Sequence, residues 1–228
     1  MIHFVHVTKK YKDKTALDNI SFSIERGEFV FFTGPSGAGK STIIKLLLHD
    51  FAPTKGDIMV DHENINQYSH NQIALYRRKL GIVFQDYKLL PYMDSYDNVA
   101  FATEVVERDA DMDDDVINAL SVVDMKDEHK ILSLPSELSG GEQQRVAIAR
   151  AIVNKPKIII ADEPTGNLDD NNSRNIMQLF EKINARYGTT ILMATHDADL
   201  IRQFPHRILG LQDGRLVSDF NAKKELVL

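Results

Sequence analysis

Apolar residues recur along this chain with two different periods. In Ile20-Ser21-Phe22-Ser23-Ile24 they alternate with polar residues, the pattern of a strand with one wet face. Ile2 and Phe4 begin the same alternation, and with the segment Asp57 to Val60 they predict an antiparallel patch. Phe29-Val30-Phe31-Phe32-Thr33 reads as a buried strand. Gly81-Ile82-Val83-Phe84, Ile158-Ile159-Ile160-Ala161 and Thr190-Ile191-Leu192-Met193-Ala194 are short and apolar on both faces, as central parallel strands are. Helical spacing appears after Lys40, in Ile43, Ile44, Leu46 and Leu47, and again over 142–153, 173–186 and 198–203. That alternation predicts an α/β fold, a mostly parallel sheet covered by helices with an antiparallel patch beside it. Between Asp86 and Glu137 the apolar strands vanish, and 96–106 and 113–123 read as helices. The expected division is a single domain with its sheet core at about 1–85 and 154–228 and an inserted helical subdomain at about 86–153.

Chemistry enters between the first buried strand and its helix. Gly34-Pro35-Ser36-Gly37-Ala38-Gly39-Lys40-Ser41-Thr42 completes the pattern G-x-x-x-x-G-K-[ST] in the strand-loop-helix setting it requires. Glycines let successive N–H groups turn inward, making an anion nest at a positive helix end. Lys40 can then reach the β- and γ-phosphates of a nucleoside triphosphate, and the Ser41 hydroxyl can ligate Mg²⁺.

In open α/β sheets, ligands bind beyond the carboxyl ends of the strands. Gln85 follows the run 81–84, Asp162 and Glu163 follow 158–161, and His196 follows 190–195. These side chains suit metal and phosphate chemistry. Asp162 is expected to orient the Mg²⁺ shell, and Gln85 to complete it. Glu163 is expected to polarise the attacking water as general base, and His196 to contact the γ-phosphate. Tyr11, ahead of the loop in Lys9-Lys10-Tyr11-Lys12, can stack on adenine or pack at a strand end.

Composition narrows the setting. Length, 228 residues with 43 % hydrophobic and 26 % charged, suits one large globular α/β domain. A formal charge of −6 argues against a nucleic-acid-coating surface. With no cysteine, disulfides and thiolate metal sites are excluded. Met1-Ile2-His3-Phe4 lacks the charged head of a secretory signal, and no apolar run approaches the ~20 residues of a membrane span. Any membrane role is expected to come through a partner. Glu104, Glu107, Asp109, Asp111, Asp113, Asp114 and Asp115 form an acidic stretch, read as a solvated connection leading into a helix N-terminus.

Leu138-Ser139-Gly140-Gly141-Glu142-Gln143 separates this chain from other phosphate-loop proteins. It resembles the signature motif of the ATP-binding cassette (ABC) family, and with the other motifs the resemblance covers nearly the whole chain. Ser139, Gly140, Gly141 and Glu142 at a helix start would form a second anion site. The resemblance implies a P-loop ABC nucleotide-binding domain that hydrolyses ATP with Mg²⁺, two copies pairing head to tail so that each signature closes on the other's ATP. It makes Tyr11 the adenine-stacking aromatic, Gln85 the hinge reporting nucleotide state to the helical lobe, Asp169 the residue crossing the dimer interface, and His196 the switch histidine. The stretch 162–169 resembles the branch that includes lipoprotein-release, macrolide-export and cell-division cassettes, and 84–91, 96–101 and 192–197 most resemble its cell-division members, which implies an integral membrane partner at the cytoplasmic face and control of cell-wall cleavage. One departure is Met93-Asp94-Ser95, where the resemblance leads to a Thr-Val pair. A lipoprotein-release or macrolide-export cassette is the rival within the family. A chromosome-maintenance ATPase would carry long coiled coils between Lys40 and Asp162, and a small-molecule kinase would leave the signature without a use.

Overall fold

The computed structural model describes residues 1–12, 14–106 and 112–221. Strands β1 (Ile2–Tyr11), β2 (Lys14–Ile24) and β3 (Phe29–Thr33) lead into helix α1 (Lys40–Leu47). Strands β4 (Lys55–Val60) and β5 (Glu63–Asn64), helix α2 (His70–Arg77) and strand β6 (Leu80–Phe84) follow. Then come helices α3 (Ser95–Glu104), α4 (Met112–Val122), the short α5 (Glu128–Ile131) and α6 (Gly140–Ile152). The chain ends in strand β7 (Ile158–Asp162), helix α7 (Asp170–Tyr187), strand β8 (Thr190–Ala194), helix α8 (Ala198–Gln203) and strands β9 (Arg207–Gln212) and β10 (Arg215–Asn221). These elements fall into two compact units, Met1–Arg77 with Thr190–Leu228, and Arg78–Thr189.

In the first unit, β2, β1, β4 and β5 form an antiparallel sheet in that order, the patch expected from the alternating segments. Strand β3 runs parallel to both β8 and β9, and β10 closes the far edge antiparallel to β9. Being flanked on both sides explains why Phe29, Val30, Phe31 and Phe32 are all buried. Within the antiparallel sheet Phe4 stacks on Phe22 at 4.5 Å, and Phe22 meets Phe32 of the other sheet edge-on at 5.5 Å. Helix α2 lacks a strong apolar stripe and went unpredicted. It is held by hydrogen bonding, since Tyr76 Oη donates to Leu47 O at 2.8 Å and Arg77 Nε to Leu48 O at 2.7 Å. Both satisfy carbonyls that the end of α1 leaves without partners.

The second unit carries the parallel pair β6 and β7, with Phe84 opposite Asp162. Among the described residues of 86–137 no strand occurs, and α3 and α4 pack with α6. Helix α6 is the core of this unit: Val146, Ala147, Ile148 and Ala149 are fully buried. Helix α7 shows a buried stripe of Ile176, Met177, Phe180 and Ile183, is capped by Asp169 and ends at Gly188, whose φ of 62° is the left-handed stop that glycine adopts without strain. Asp113, Asp114 and Asp115 do occupy the first turn of α4. Glu107, Asp109 and Asp111 of the acidic stretch lie outside the described residues, as does the tail after Asn221.

Asn98 ties the start of this lobe together. It is fully buried, and its Nδ2 lies at 3.1, 2.9 and 2.9 Å from the carbonyls of Leu90, Met93 and Asp94, while its Oδ1 accepts from Leu90 N at 2.7 Å. Leucine at this position would take away the partners of the Leu90 N–H and the Met93 carbonyl beside a buried side chain, a cost of about 3 kcal/mol. Asn98→Leu is expected to lower the thermal unfolding midpoint by roughly 5–10 °C, read by circular dichroism.

Candidate functional site

The phosphate loop is shaped by what surrounds it. Gly34 has φ of +141°, and a Cβ there would lie 2.2 Å from the Leu211 carbonyl oxygen on β9. Gly39 has φ of +114°, and its Cβ would meet Leu17 Cδ2 at 2.6 Å and the Ala16 carbonyl at 2.9 Å. Any side chain at either position would strain the backbone and push a neighbouring strand aside. Within the loop, Ala38 N donates to Pro35 O at 3.1 Å, and Gly214 N donates to Ala38 O at 3.1 Å. Gly39 caps α1 without a side chain, which leaves the helix's first N–H groups available to an anion. Ser36, Gly37 and Ser41 are exposed at the mouth. Lys40 is buried at 7 % exposure, its ammonium donating to Gly34 O at 2.6 Å and Pro35 O at 3.2 Å.

Two further expected residues belong to this unit. His196 follows β8, whose Ala194 pairs with Phe32 of β3, so the exposed imidazole and the loop leave the carboxyl ends of neighbouring strands. Thr195 holds that turn: its N–H donates to Phe32 O at 3.1 Å and its hydroxyl accepts from Asp197 N at 3.1 Å. Tyr11 is 40 % exposed and stands edge-on to Phe51 at 5.3 Å. The Lys9 ammonium lies 4.2 Å from the Phe51 ring centre and is fixed by Ala52 O at 2.7 Å. Burial raises the Tyr11 phenol's pKa, and a hydrogen bond with Thr42 opposes the shift. The ring is thus tied to the last residue of the phosphate loop. Phe51 and Lys9 carry no motif, and only proximity in the fold reveals them as its supports.

The second unit gathers the remaining expected residues. Because Phe84 is opposite Asp162, Gln85 and Glu163 emerge side by side from β6 and β7. Asn167 joins the two strand ends, its Nδ2 donating to Gln85 O at 2.9 Å. A Cβ on Gly166 would sit 2.8 Å from Gln85 Nε2, so the turn after Glu163 closes directly over that amide. Glu163 has φ of 48°, a left-handed conformation unusual for a non-glycine residue and characteristic of functional turns. Asp162 and Glu163 are both half-buried.

Asp169 caps α7, accepting from Asn171 N and Asn172 N at 3.0 Å each and from Asn172 Nδ2 at 2.6 Å. Those bonds, Asn172's first, hold its carboxyl below the usual range. Asn172 also backs the signature, since a Cβ on Gly141 would lie 2.8 Å from its Oδ1. A Cβ on Gly140 would lie 3.0 Å from Tyr87 Oη. Arg150, at the far end of α6, donates to the Tyr87 and Lys88 carbonyls at 2.8 and 2.6 Å. Ser139 caps α6 in a reciprocal box with Glu142, and the Ser139 hydroxyl and N–H each lie 2.9 Å from Glu142 Oε2. Lys130 pairs with Glu142 Oε1. Asn172, Arg150 and Lys130 escaped the sequence reading because none sits inside a motif, and Asn167 and Tyr87 lay in stretches that carried the resemblance without a role of their own.

A phosphate nest on a strand-to-helix turn and a glycine-led helix start with a serine cap are features the chain shares with characterised proteins. It matches the ABC transporter family model over residues 17–166. It is 49 % identical over 221 residues to the cell division ATP-binding protein FtsE of Streptococcus pneumoniae serotype 2 (strain D39), covering 96 % of this chain and 95 % of that protein. The FtsE of Bacillus subtilis (strain 168) is 47 % identical, with 96 % of each chain covered. Among solved structures, a dimeric post-hydrolysis state of the ATP-binding cassette MJ0796 bound to ADP and Pi superposes with a TM-score of 0.88 at 36 % identity, covering 97 % of this chain and 99 % of that one. The matched segment begins on the strand that walls the phosphate loop and ends at the glycine closing over Gln85, and the chain belongs to the ABC transporter family, as an ATPase.

Proposed function

We propose that the chain powers a bacterial cell-division complex, working as an ATP-dependent head-to-tail homodimer beneath an FtsX-like integral membrane protein. The observation carrying this reading is the 49 % identity to a cell division ATP-binding protein along 96 % of the chain. No helix among the described residues is long and apolar enough to cross a membrane, so attachment at the cytoplasmic face would be through the partner. The output would be regulation of septal cell-wall hydrolysis. In this reading, the helical subdomain at about 86–153 meets the partner, and no nucleic acid is involved.

The proposed chemistry follows from the groups already described. The N–H groups from Gly34 to Thr42 and the Lys40 ammonium hold the β- and γ-phosphates, and Tyr11 stacks on adenine. The Ser41 hydroxyl and the Asp162 carboxylate are hard oxygen donors, which fits Mg²⁺, an ion that uses few protein ligands and keeps waters and phosphate oxygens. When bound, the ion would neutralise charge on the phosphate oxygens. Gln85 completes that shell and reports it to the helical lobe. Glu163 accepts the proton of the attacking water, and His196 holds the γ-phosphate in line. Ser139, Gly140, Gly141 and Glu142 offer a second anion site to the ATP of the other copy, with Asp169 crossing beside it.

Membranes containing the full complex, solubilised in mild detergent, test the partner. Capture of the chain is expected to bring down a small multi-span FtsX-like protein, and recovery of a partner with a large export domain instead would overturn the division assignment. Glu163→Gln is expected to bind ATP normally, to lose about 10²–10⁴-fold in turnover, and to accumulate a nucleotide-bound dimer on size-exclusion chromatography. Unimpaired hydrolysis would remove Glu163 from its role. Ser139→Arg is expected to abolish hydrolysis while the dilute monomer still titrates a fluorescent ATP analogue with unchanged affinity. Loss of monomer binding would mean that the signature serves its own chain's nucleotide.

A further inference from the structure

The signature of this chain ends its box with a carboxylate, and a carboxylate is an awkward neighbour for a triphosphate. Glu142 Oε2 lies 2.9 Å from both the Ser139 hydroxyl and the Ser139 N–H, and Glu142 N reaches back to Ser139 Oγ at 3.4 Å. The box satisfies donors at the start of α6. It also engages the one proton that Ser139 can offer an incoming phosphate oxygen, and it sets a negative charge beside the place where that oxygen would lie.

The other carboxylate oxygen is not free. Lys130 Nζ bonds Glu142 Oε1 from α5, a four-residue helix that enters no recognised motif. Its backbone is anchored deliberately. Ser95, 1 % exposed, donates from its hydroxyl to Lys130 O at 2.9 Å and from its N–H to Ser133 O at 3.1 Å. Ser95 belongs to the Met93-Asp94-Ser95 stretch that departs from the family resemblance, and here it fixes the carbonyl of the residue that reaches the signature. Asp127 caps the same helix through His129 N at 3.0 Å. Lys130 first, and then the Ser139 N–H, draw the Glu142 carboxyl below the usual carboxylate range.

We propose that Lys130 is a positioning residue for the signature: its ammonium neutralises Glu142 and occupies the outer carboxylate oxygen, so that the Ser139 hydroxyl can exchange Glu142 for a phosphate oxygen. A carboxylate already paired with an ammonium is a weaker acceptor and repels a triphosphate less. This deepens the assignment of Ser139 to the triphosphate and rests on it. The effect lies in assembling the signature on nucleotide, so it changes the ATP concentration needed more than the maximal rate.

Steady-state hydrolysis by the full chain tests the idea in a double-mutant cycle. Lys130→Met is expected to raise the half-saturating ATP concentration about tenfold while the maximal rate falls less, and Lys130→Arg is expected to keep the parent value. In the Glu142→Gln background, Lys130→Met is expected to add nothing, because no charge is left to neutralise. The thermal midpoint of Lys130→Met should stay within about 3 °C of the parent, as for an exposed ion pair. An unchanged half-saturating concentration in Lys130→Met overturns the proposal. So does a loss that persists undiminished in the Glu142→Gln background, which would mark a purely structural contact. If Ser139→Arg hydrolyses ATP normally, the signature assignment and this inference fall together; if Ser139→Arg is dead and Lys130→Met matches the parent, this inference falls alone.

Discussion

The phosphate nest exists because two neighbouring strands forbid a side chain at two of its glycines. Leu211 O presses on Gly34 from β9, and Leu17 and Ala16 press on Gly39 from β2. The backbone between them is squeezed into a curve whose N–H groups have few routes except inward. Lys40 is itself buried, and its ammonium donates to the carbonyls of Gly34 and Pro35. A buried ammonium bonded to carbonyls rather than to a carboxylate keeps its full charge for an anion, since carbonyl dipoles satisfy its donors without neutralising it. The catalytic power of this unit therefore depends on strand packing well outside the nine residues of the motif.

The second unit reaches a comparable arrangement by register. One pairing, Phe84 with Asp162, decides that Gln85 and Glu163 leave the sheet together. A slip of one residue would turn Asp162 toward the opposite face and separate them. The Asn167 bridge and the tight turn at Gly166 then lock the strand ends, and Glu163 accepts a left-handed backbone as the cost of its position. Strain of this kind persists where the surroundings over-determine it, and here the hydrogen bond from Gly166 N to Glu163 O at 3.0 Å supplies part of that support.

What the amino-acid order makes legible is periodic or chemically loaded. The buried strands at 29–33, 158–161 and 190–194 were visible as two-faced apolar runs, because burial on both sides leaves no room for polar residues. The phosphate loop, signature, strand-end carboxylates and His196 were visible because their residue types are costly to place without use. Helix α2 was invisible: a single buried residue, Tyr76, gives no stripe, and its hold on α1 runs through side chains reaching carbonyls. Strands β9 and β10 were missed for a related reason, since an exposed edge strand such as β10 need not alternate. Lys130 and Asn172 act on signature residues 12 and 31 positions away, and Arg150 holds backbone carbonyls 62 and 63 positions away, separations that only folding closes.

Helix capping draws on the same side chains to which the proposed function assigns nucleotide chemistry. Ser139 begins α6 and Asp169 begins α7, and each accepts hydrogen bonds from the helix it starts. A cap holds its side chain in one rotamer, which removes the entropy that a free hydroxyl or carboxylate would lose on meeting a ligand. The hydroxyl of an N-cap serine contributes roughly 1 kcal/mol to its helix. That is enough to organise the group and far too little to withhold it from a charged phosphate oxygen in a closed interface. The proposed head-to-tail pairing would draw on such a balance: groups prepared before the nucleotide arrives, with a resting partner to return to when it leaves.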